Sequence, residues 1–143
     1  MVYLLDTNVL THYVNGSQTL LANLRRVDLR DVVLPTVVVA EAMRGRSEFA
    51  LKAPPNQVVH AHSLLVETWQ ILHKFQMLAL DQQSATALAQ MQQKHGSRKR
   101  YADMMIAAMA LTGNHVVVTR NLKHFADLLA SHQLANWIDD PPR

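Results

Sequence analysis

Three acidic residues, far apart in the sequence, border or interrupt apolar segments. They are Asp6, Glu41 and Asp103. The chain contains no cysteine, so a metal site must use oxygen or imidazole ligands, and converging carboxylates form a hard-oxygen site suited to Mg²⁺ or Mn²⁺. Such an ion lowers the pKa of a bound water and neutralises charge that develops on a phosphate group. The residue types therefore point to metal-dependent hydrolysis of a phosphate ester.

Each of these acids also has an ordinary structural explanation when it is taken alone. Asp6 is followed by Thr7 and Asn8, and residues of these types commonly cap turns and helices. A local ion pair would explain the other two acids. The candidate partners are Arg44 or Arg46 for Glu41, and Lys99 or Arg100 for Asp103. The metal site is favoured by the three acids together and by none of them singly.

Short apolar runs alternate with helical patterns, which predicts a three-layer α/β/α sandwich around a parallel sheet of four to five strands. Strands are predicted at Val2–Leu5, Val32–Leu34, Met77–Leu80 and Val116–Val118, with an edge strand near Trp137 and Ile138. Helices are predicted after a Thr36 cap, at Gln57–Lys74 (the longest), from an Asp81 cap to about Lys94, and at Tyr101–Thr112, closing at Gly113. Ligands bind beyond the carboxyl ends of parallel strands, which is where Asp6 is expected.

The length, composition and charge of the chain fit a small soluble protein that binds a polyanion. The 143 residues are expected to form one domain, 1–143. No apolar stretch approaches the roughly 20 residues of a membrane helix, and Met1–Asp6 lacks the basic start of a signal peptide, so we expect a cytoplasmic protein without a membrane. With the three acids set aside, 11 − 3 = 8 acids face 14 Lys and Arg. An acidic pit in a basic surface suits a nucleic acid, although a net charge of +3 is also ordinary for solubility.

The densest basic segment, residues 94–100, leads directly into Asp103. The cations predicted to hold nucleic-acid phosphates beside the metal are Arg98, Lys99, Arg100 and Arg120. A solvated loop with local salt bridges would explain the same charges. None of the eight histidines shows a metal-ligand spacing. His124 is expected on a helix surface, within reach of the site.

Four blocks of the sequence resemble the conserved blocks of PIN-domain proteins, and in particular the toxin ribonucleases of bacterial VapBC toxin–antitoxin pairs. The blocks are Leu5–Asn8, Glu41 before Gly45, Asp103–Ala108 and Val118–Phe125. They cover almost the whole chain in the right order. The resemblance implies a flavodoxin-like α/β/α fold, cleavage of RNA with Mg²⁺ or Mn²⁺, a homodimer, and neutralisation by a small antitoxin protein.

The resemblance also assigns roles by position. Asp6, Glu41 and Asp103 match the three acidic residues of the family, with Asp6 and Asp103 as direct metal ligands and Glu41 acting through water. The polar residues assigned to the substrate side of the site are Thr7, Asn8 and Thr119. Their alternative role is turn capping.

The sequence departs from the family pattern at Asn121, where many members carry a fourth Asp, and at His124, where many carry another acid. An amide oxygen can orient metal-bound water but brings no charge, so Asn121 leaves the number of bound ions open. A PIN fold without catalysis that binds RNA or a partner is the alternative function. A third hypothesis is phosphoryl transfer with Asp6 as a covalent nucleophile, but Asn8 replaces the second acid of such enzymes.

Overall fold

The computed structural model describes residues 1–143 and is built around a five-stranded parallel sheet. The strands are β1 (Tyr3–Leu5), β2 (Val32–Pro35), β3 (Gln76–Leu78), β4 (Val116–Val118) and β5 (Leu134–Ala135). Their order is β3-β2-β1-β4-β5, and every neighbouring pair is parallel. Strands β2 and β4 are fully buried and rich in valine, as strands covered by helices on both faces must be.

Six helices connect the strands. They are α1 (Thr7–Val14), α2 (Gln18–Leu24), α3 (Thr36–Lys52), α4 (Val58–Leu72), α5 (Gln82–His95) and α6 (Tyr101–Gly113). The connections from β1 to β2 and from β2 to β3 step one way across the sheet, and the connection from β3 to β4 steps the other way. Right-handed connections then place α1 to α4 on one face and α5 and α6 on the other. The predicted three-layer sandwich is confirmed.

The direction of the connections reverses between the adjacent strands β1 and β4. In open α/β sheets such a reversal leaves a crevice beyond the carboxyl ends of the strands, where ligands bind. Asp6 follows β1 and Thr119 follows β4, and the last residues of the two strands, Leu5 and Val118, are paired in register. The fold therefore brings these two polar residues to the same crevice.

A continuous apolar core fixes the helices that border this crevice. Leu4, Leu34 and Val117 contribute from the sheet, and Ile106 and Phe125 from the helical layers, all fully buried. Burying an aliphatic side chain of this size contributes about 1.5–3 kcal/mol. Helix α6 is apolar over most of its surface and buries seven of its residues, so the site residue that it carries is held rigidly. No helix is both long and apolar enough to cross a lipid bilayer.

The predicted edge strand exists, but it lies slightly earlier in the sequence: β5 is Leu134–Ala135, and Trp137 and Ile138 form the turn that follows it. The apolar character of Trp137 serves packing and not strand pairing. Its ring lies 4.8 Å from the ring of Tyr3, centroid to centroid, and Ile138 is buried in the core. A strand of two residues is too short to leave a pattern of its own.

The longest helix is α3, with 17 residues, and not the predicted segment Gln57–Lys74, where α4 has 15 residues. Helix α3 continues to Lys52 because no proline interrupts it before Pro54. Thr36 is its first residue and provides no cap; the N-cap position is Pro35, without a side-chain hydrogen bond.

The predicted ends of α5 are confirmed: the Asp81 side chain accepts a hydrogen bond from the Ser84 backbone N–H at 2.8 Å, and Gly96 follows the helix with a φ of +57°. Helix α6 ends differently. Asn114, with a φ of +53°, takes the left-handed position expected at Gly113. Gly113 is required for a different reason, since a Cβ there would overlap the ring of His115.

Candidate active site

Asp6 is buried at the carboxyl end of β1, where three donors hold its carboxylate. The Thr7 backbone N–H donates to Oδ1 at 2.8 Å, and Asn8 Nδ2 (3.1 Å) and Thr119 Oγ1 (2.8 Å) donate to Oδ2. Asp6 is also the N-cap of α1. The capping role and a position in a site are therefore compatible, because one carboxylate can accept a hydrogen bond from a helix terminus and still face the crevice.

Thr119 and Asn8 tie the loop after β4 to this acid. The Thr119 hydroxyl accepts hydrogen bonds from the Asn121 backbone N–H at 2.9 Å and from Asn8 Nδ2 at 3.3 Å. The Asn8 side-chain oxygen accepts from the Arg120 backbone N–H at 3.2 Å. Thr119 is fully buried, which places it behind Asp6 and not at a surface that a substrate reaches.

Glu41 projects from α3 and has two partners, neither of which is a neighbour in the sequence. Its Oε1 accepts a hydrogen bond from Thr7 Oγ1 at 2.9 Å, and its Oε2 accepts one from Arg100 Nη2 at 3.0 Å. The local pairs with Arg44 or Arg46 do not form. The carboxylate instead joins α1 to the start of α6.

Asp103 lies in the first turn of α6 and is only 4% exposed, yet its carboxylate accepts no hydrogen bond. The nearest cations are His124, with Nδ1 3.5 Å from Oδ2, and Arg100, with Nη1 4.0 Å from Oδ1. Burial raises the pKa of the Asp103 carboxyl above its ordinary value. Arg100 and His124 oppose this rise in pKa, and the charges of Asp6 and Glu41 add to it.

The three predicted acids belong to one connected cluster. Thr7 joins Asp6 to Glu41, and Arg100 joins Glu41 to Asp103. No three of the acidic and histidine side chains converge closely enough to hold a metal ion by themselves. Mg²⁺, however, is usually held by only one or two carboxylates, with water and substrate phosphates as its other ligands. Asp103, whose carboxylate has only the longer ion pairs with His124 and Arg100, lies beside other carboxylates and fits such an ion, and this oxygen set does not fit zinc.

Arg100 is the one member of the basic segment 94–100 that contacts these acids. The other predicted phosphate-binding cations have partners elsewhere: Arg98 donates to the backbone carbonyls of Lys94 and His95, Lys99 pairs with Asp127 at 2.6 Å, and Arg120 pairs with Asp139 at 3.1 Å. Asn121 follows Thr119 at the crevice, and its side-chain amide forms no hydrogen bond within the protein.

His124 is closer to the acids than its sequence pattern indicates. It lies on a single turn of 3₁₀ helix, Leu122–His124, and is half exposed with its ring turned towards Asp103. The sequence favoured a helix-surface position. The signal that could have placed it is its distance of five residues from Thr119, since the loop after β4 starts at the crevice.

An open groove of about 460 Å³ runs between α3 and α6 beside Glu41. Arg44, Arg100 and Tyr101 line it, and Tyr101 is 51% exposed. Cations combined with an exposed aromatic ring form the surface on which single-stranded nucleic acids bind, because phosphates pair with the cations and bases stack on the ring.

The chain is similar to a known protein family and to several solved structures. Residues 3–128 match the family model described as PIN domain. Two solved structures share about 30% sequence identity with the chain: FitAB bound to the IR36 DNA fragment (29% identity, 99% of both chains, TM-score 0.75) and FitAcB from Neisseria gonorrhoeae (30% identity, 95% of this chain and 98% of that chain, TM-score 0.69). DNA-bound VapBC from Salmonella typhimurium shares the fold (19% identity, 96% and 98% of the chains, TM-score 0.76). No curated protein matches the sequence.

Proposed function

The chain belongs to the PIN domain family, and we propose that it is an Mg²⁺- or Mn²⁺-dependent endoribonuclease that acts in the cytoplasm as the toxin of a toxin–antitoxin pair. The observation that carries the proposal is the connected cluster of Asp6, Glu41 and Asp103 at the crevice where the strand order reverses. Acids in such a crevice suit a reaction at a phosphate group that a cation brings into their reach.

Asp6 and Asp103 are the residues that would hold the cation directly, with Glu41 acting through water and Asn121 as an uncharged neighbour. The ion would supply positive charge to the phosphate oxygens of the transition state and would lower the pKa of the attacking water. Asp6 is held by three donors, so its oxygens are already oriented. Asp103 is only 4% exposed and has only the longer ion pairs with Arg100 and His124, so a cation would further reduce the penalty of burying its charge.

Arg100 has two functions in this proposal. Without substrate it balances Glu41 and lies near Asp103, at 3.0 and 4.0 Å. Its side chain is 61% exposed, so it can turn to the incoming phosphate, which guanidinium groups bind in a bidentate manner. His124, half exposed beside Asp103, is positioned to approach the same phosphate.

The groove formed by Arg44, Arg100 and Tyr101 supports a single-stranded RNA as substrate. Proteins recognise RNA sequence mainly in unpaired segments, whose bases stack on aromatic side chains. Because the groove borders Glu41, a strand lying in it would deliver a phosphodiester bond to the acids.

The toxin assignment is supported by the relatives. A solved structure with the same fold is a toxin–antitoxin complex from Klebsiella pneumoniae (19% identity, 94% of this chain and 97% of that chain, TM-score 0.69). We infer that this chain likewise pairs with a small antitoxin and forms a homodimer. Copurification of a small protein encoded next to this chain, together with the mass of the complex in solution, tests both points. A chain that purifies as a monomer and captures no such protein would contradict them.

The nuclease proposal is tested by cleavage of a defined RNA in the presence of Mg²⁺ or Mn²⁺. We expect Asp6→Asn and Asp103→Asn to lower the rate on the order of a hundredfold or more, because each change removes a charge from the cluster. Asp81→Asn is the matched control. Asp81 only caps α5, and Asn is an equally good cap. Unchanged cleavage in both site variants would exclude this site.

Asn121 separates the enzyme from the alternative, a PIN fold that binds RNA without cutting it. If the missing fourth acid limits metal binding, Asn121→Asp strengthens Mn²⁺ binding and raises the cleavage rate. RNA binding without cleavage, in both the natural chain and Asn121→Asp, would favour the binding module. An aspartyl-phosphate trapped on Asp6 would favour the phosphoryl-transfer hypothesis.

A further inference from the structure

A cavity of about 340 Å³ lies beside the acid cluster, on the face of α3 next to the groove of Arg44 and Tyr101, and Glu41 lines both. Helices α1, α3 and α4 enclose it, and Thr7 and Glu41 form part of its wall. Its floor is apolar, with the buried side chains of Leu10 and Ile71. Small-ligand pockets span roughly 300–1,000 Å³, so the cavity is large enough for one planar base.

Gly45 lies at the exposed rim of this cavity. It lies within α3, where glycine is an unfavourable residue, and it lines the cavity. A Cβ added to Gly45 would meet no other atom within 4 Å. Any larger side chain at this position would therefore extend into free space and not into the core.

Arg46 brings a positive charge to the cavity, and the protein leaves this charge without a carboxylate partner. Its Nε donates to Thr68 Oγ1 at 3.1 Å, and no ion pair of the structure includes Arg46. The terminal nitrogens of its guanidinium group form no hydrogen bond within the protein. A ligand with two acceptors on one edge would satisfy them.

We propose that this cavity is a base-recognition subsite that accepts a guanine of the RNA next to the cleaved bond, with Arg46 as the residue that determines specificity. Guanine presents two acceptors, O6 and N7, on one edge, which is the pattern that arginine binds in a bidentate manner. Its N1–H and N2–H₂ groups are donors, and the Glu41 carboxylate, whose oxygens can each accept a further hydrogen bond beside those from Thr7 and Arg100, lines the same cavity. Adenine carries a donor in place of O6, and the pyrimidines lack N7.

An apolar side chain of a partner protein is a poorer occupant of the same space. It would match the floor of Leu10 and Ile71, but it would remove water from Arg46 without supplying an acceptor, which is costly for a charged group. The guanine proposal rests on the proposed ribonuclease function only in assuming that RNA reaches the acids. Its first test therefore measures binding without cleavage.

The binding test follows the methyl resonances of Thr11 and Ile71, which line the cavity, by NMR in EDTA while each of the four ribonucleoside 5′-monophosphates is added. All four share the phosphate and the sugar, so differences report the base. We expect GMP to bind at least about tenfold more tightly than the other three, and Arg46→Gln to remove that preference. Equal binding of all four, no shift with any of them, or an unchanged preference in Arg46→Gln would overturn the proposal.

Gly45→Leu provides a second variant, since its Cβ meets no other atom within 4 Å and its side chain takes up space at the cavity that Gly45 lines. We expect it to abolish the GMP-dependent shifts. Ala89→Leu adds the same side chain at an exposed position of α5, and Arg25→Gln removes a charge at the exposed end of α2. Both controls should bind GMP as the natural chain does. GMP shifts that persist in Gly45→Leu would place the nucleotide elsewhere and overturn the assignment.

A cleavage test with an RNA pool of random sequence separates this proposal from the nuclease proposal. The natural chain should enrich guanine at one position next to the cut, and Arg46→Gln should still cut but lose that enrichment. Cutting with the same enrichment in Arg46→Gln would overturn the base subsite alone. Absence of cutting by the natural chain with either metal, together with intact GMP binding, would count against the nuclease function and support the base subsite.

Discussion

The two ends of the acid cluster differ in how many hydrogen bonds their carboxylates accept. At one end, Asp6 lies between two strands and accepts three hydrogen bonds, from Thr7, Asn8 and Thr119. At the other end, Asp103 is equally buried on α6 but accepts none, and its pKa is raised mainly by burial. The protein surrounds the Asp6 carboxylate with hydrogen-bond donors, whereas the Asp103 carboxylate has only the longer ion pairs with His124 at 3.5 Å and Arg100 at 4.0 Å.

This difference indicates that the two carboxylates have different roles. Hydrogen bonds to a carboxylate fix its orientation and favour its charged form, while burial without donors disfavours that form. We therefore expect Asp6 to support the framework as well as the proposed site, and we expect the presence of Asp103 to lower stability. Such conflicts between stability and function are common at active sites. The two ends should respond differently to substitution.

The largest expected effect is on stability at the Asp6 end. Asp6→Ala leaves the Thr7 N–H and the Thr119 hydroxyl without an acceptor and removes the N-cap of α1, and each unsatisfied buried group costs about 1–3 kcal/mol. We expect the free energy of unfolding in urea to fall by about 2–4 kcal/mol in total. Asp140→Ala, at an exposed acid whose side chain has no partner, should change it by less than about 0.5 kcal/mol. Equal losses in the two variants would remove the structural role of Asp6.

The effect at the Asp103 end should have the opposite sign. Asp103→Asn keeps the shape of the side chain and removes a buried charge that has no donor. We expect the metal-free protein to gain about 0.5–2 kcal/mol of stability at pH 7, in the range of stabilising substitutions at strained functional sites, while RNA cleavage is lost. Thermal unfolding in EDTA measures the change. A variant less stable than the natural chain would mean that the ion pairs of Asp103 with Arg100 and His124 outweigh the cost of burying its charge.

The same difference between Asp6 and Asp103 predicts that the free energy of unfolding depends on pH. The pKa of Asp103 is raised from its ordinary 3.8 in the folded protein, so the folded state holds this proton more tightly than the unfolded chain. Its contribution to stability is therefore lost as the pH rises from about 3.8 to the raised pKa, and it stays constant above. The difference in stability between Asp103→Asn and the natural chain should therefore increase as the pH rises through that range. Urea unfolding at a series of pH values checks this, and a difference independent of pH would contradict it.

The smallest expected effect concerns Arg100, which connects the two ends. Its side chain is 61% exposed, and exposed ion pairs contribute about 0–1 kcal/mol. Arg100→Gln should lower stability by no more than that, while it raises the pKa of Asp103 further, because Arg100 lowers that pKa. Urea unfolding of Arg100→Gln beside Arg25→Gln measures the difference. A loss above about 2 kcal/mol would show that the arginine is a structural residue of the cluster.

The parts of the fold that the sequence predicted are those with a local signal. The valine-rich runs of β2 and β4 and the Asp81 cap of α5 are visible as short patterns. Strand β5 has two residues and no pattern of its own, and the turn at Trp137 resembles a strand because its apolar residues pack on the core. Apolar character alone does not distinguish pairing from packing.

The site was only partly predictable for a similar physical reason. The positions of Asp6 and Asp103 follow from elements that start or end there. The Glu41–Arg100 pair spans 59 residues, and the approach of His124 to Asp103 depends on how a loop lies over α6. The cavity at Arg46 exists only because three helices pack around it. Contacts of this kind are set by tertiary packing, and no local pattern encodes them.

The proposed site requires that a hard cation binds at Asp103. Calorimetric titration of Mn²⁺ into the natural chain, Asp103→Asn and Asp81→Asn measures the affinity for this cation. We expect the natural chain and Asp81→Asn to bind Mn²⁺ with the same affinity, and Asp103→Asn to bind it at least about tenfold more weakly. The same Mn²⁺ affinity in all three proteins, or no binding to the natural chain, would contradict the metal site and with it the proposed role of the cluster.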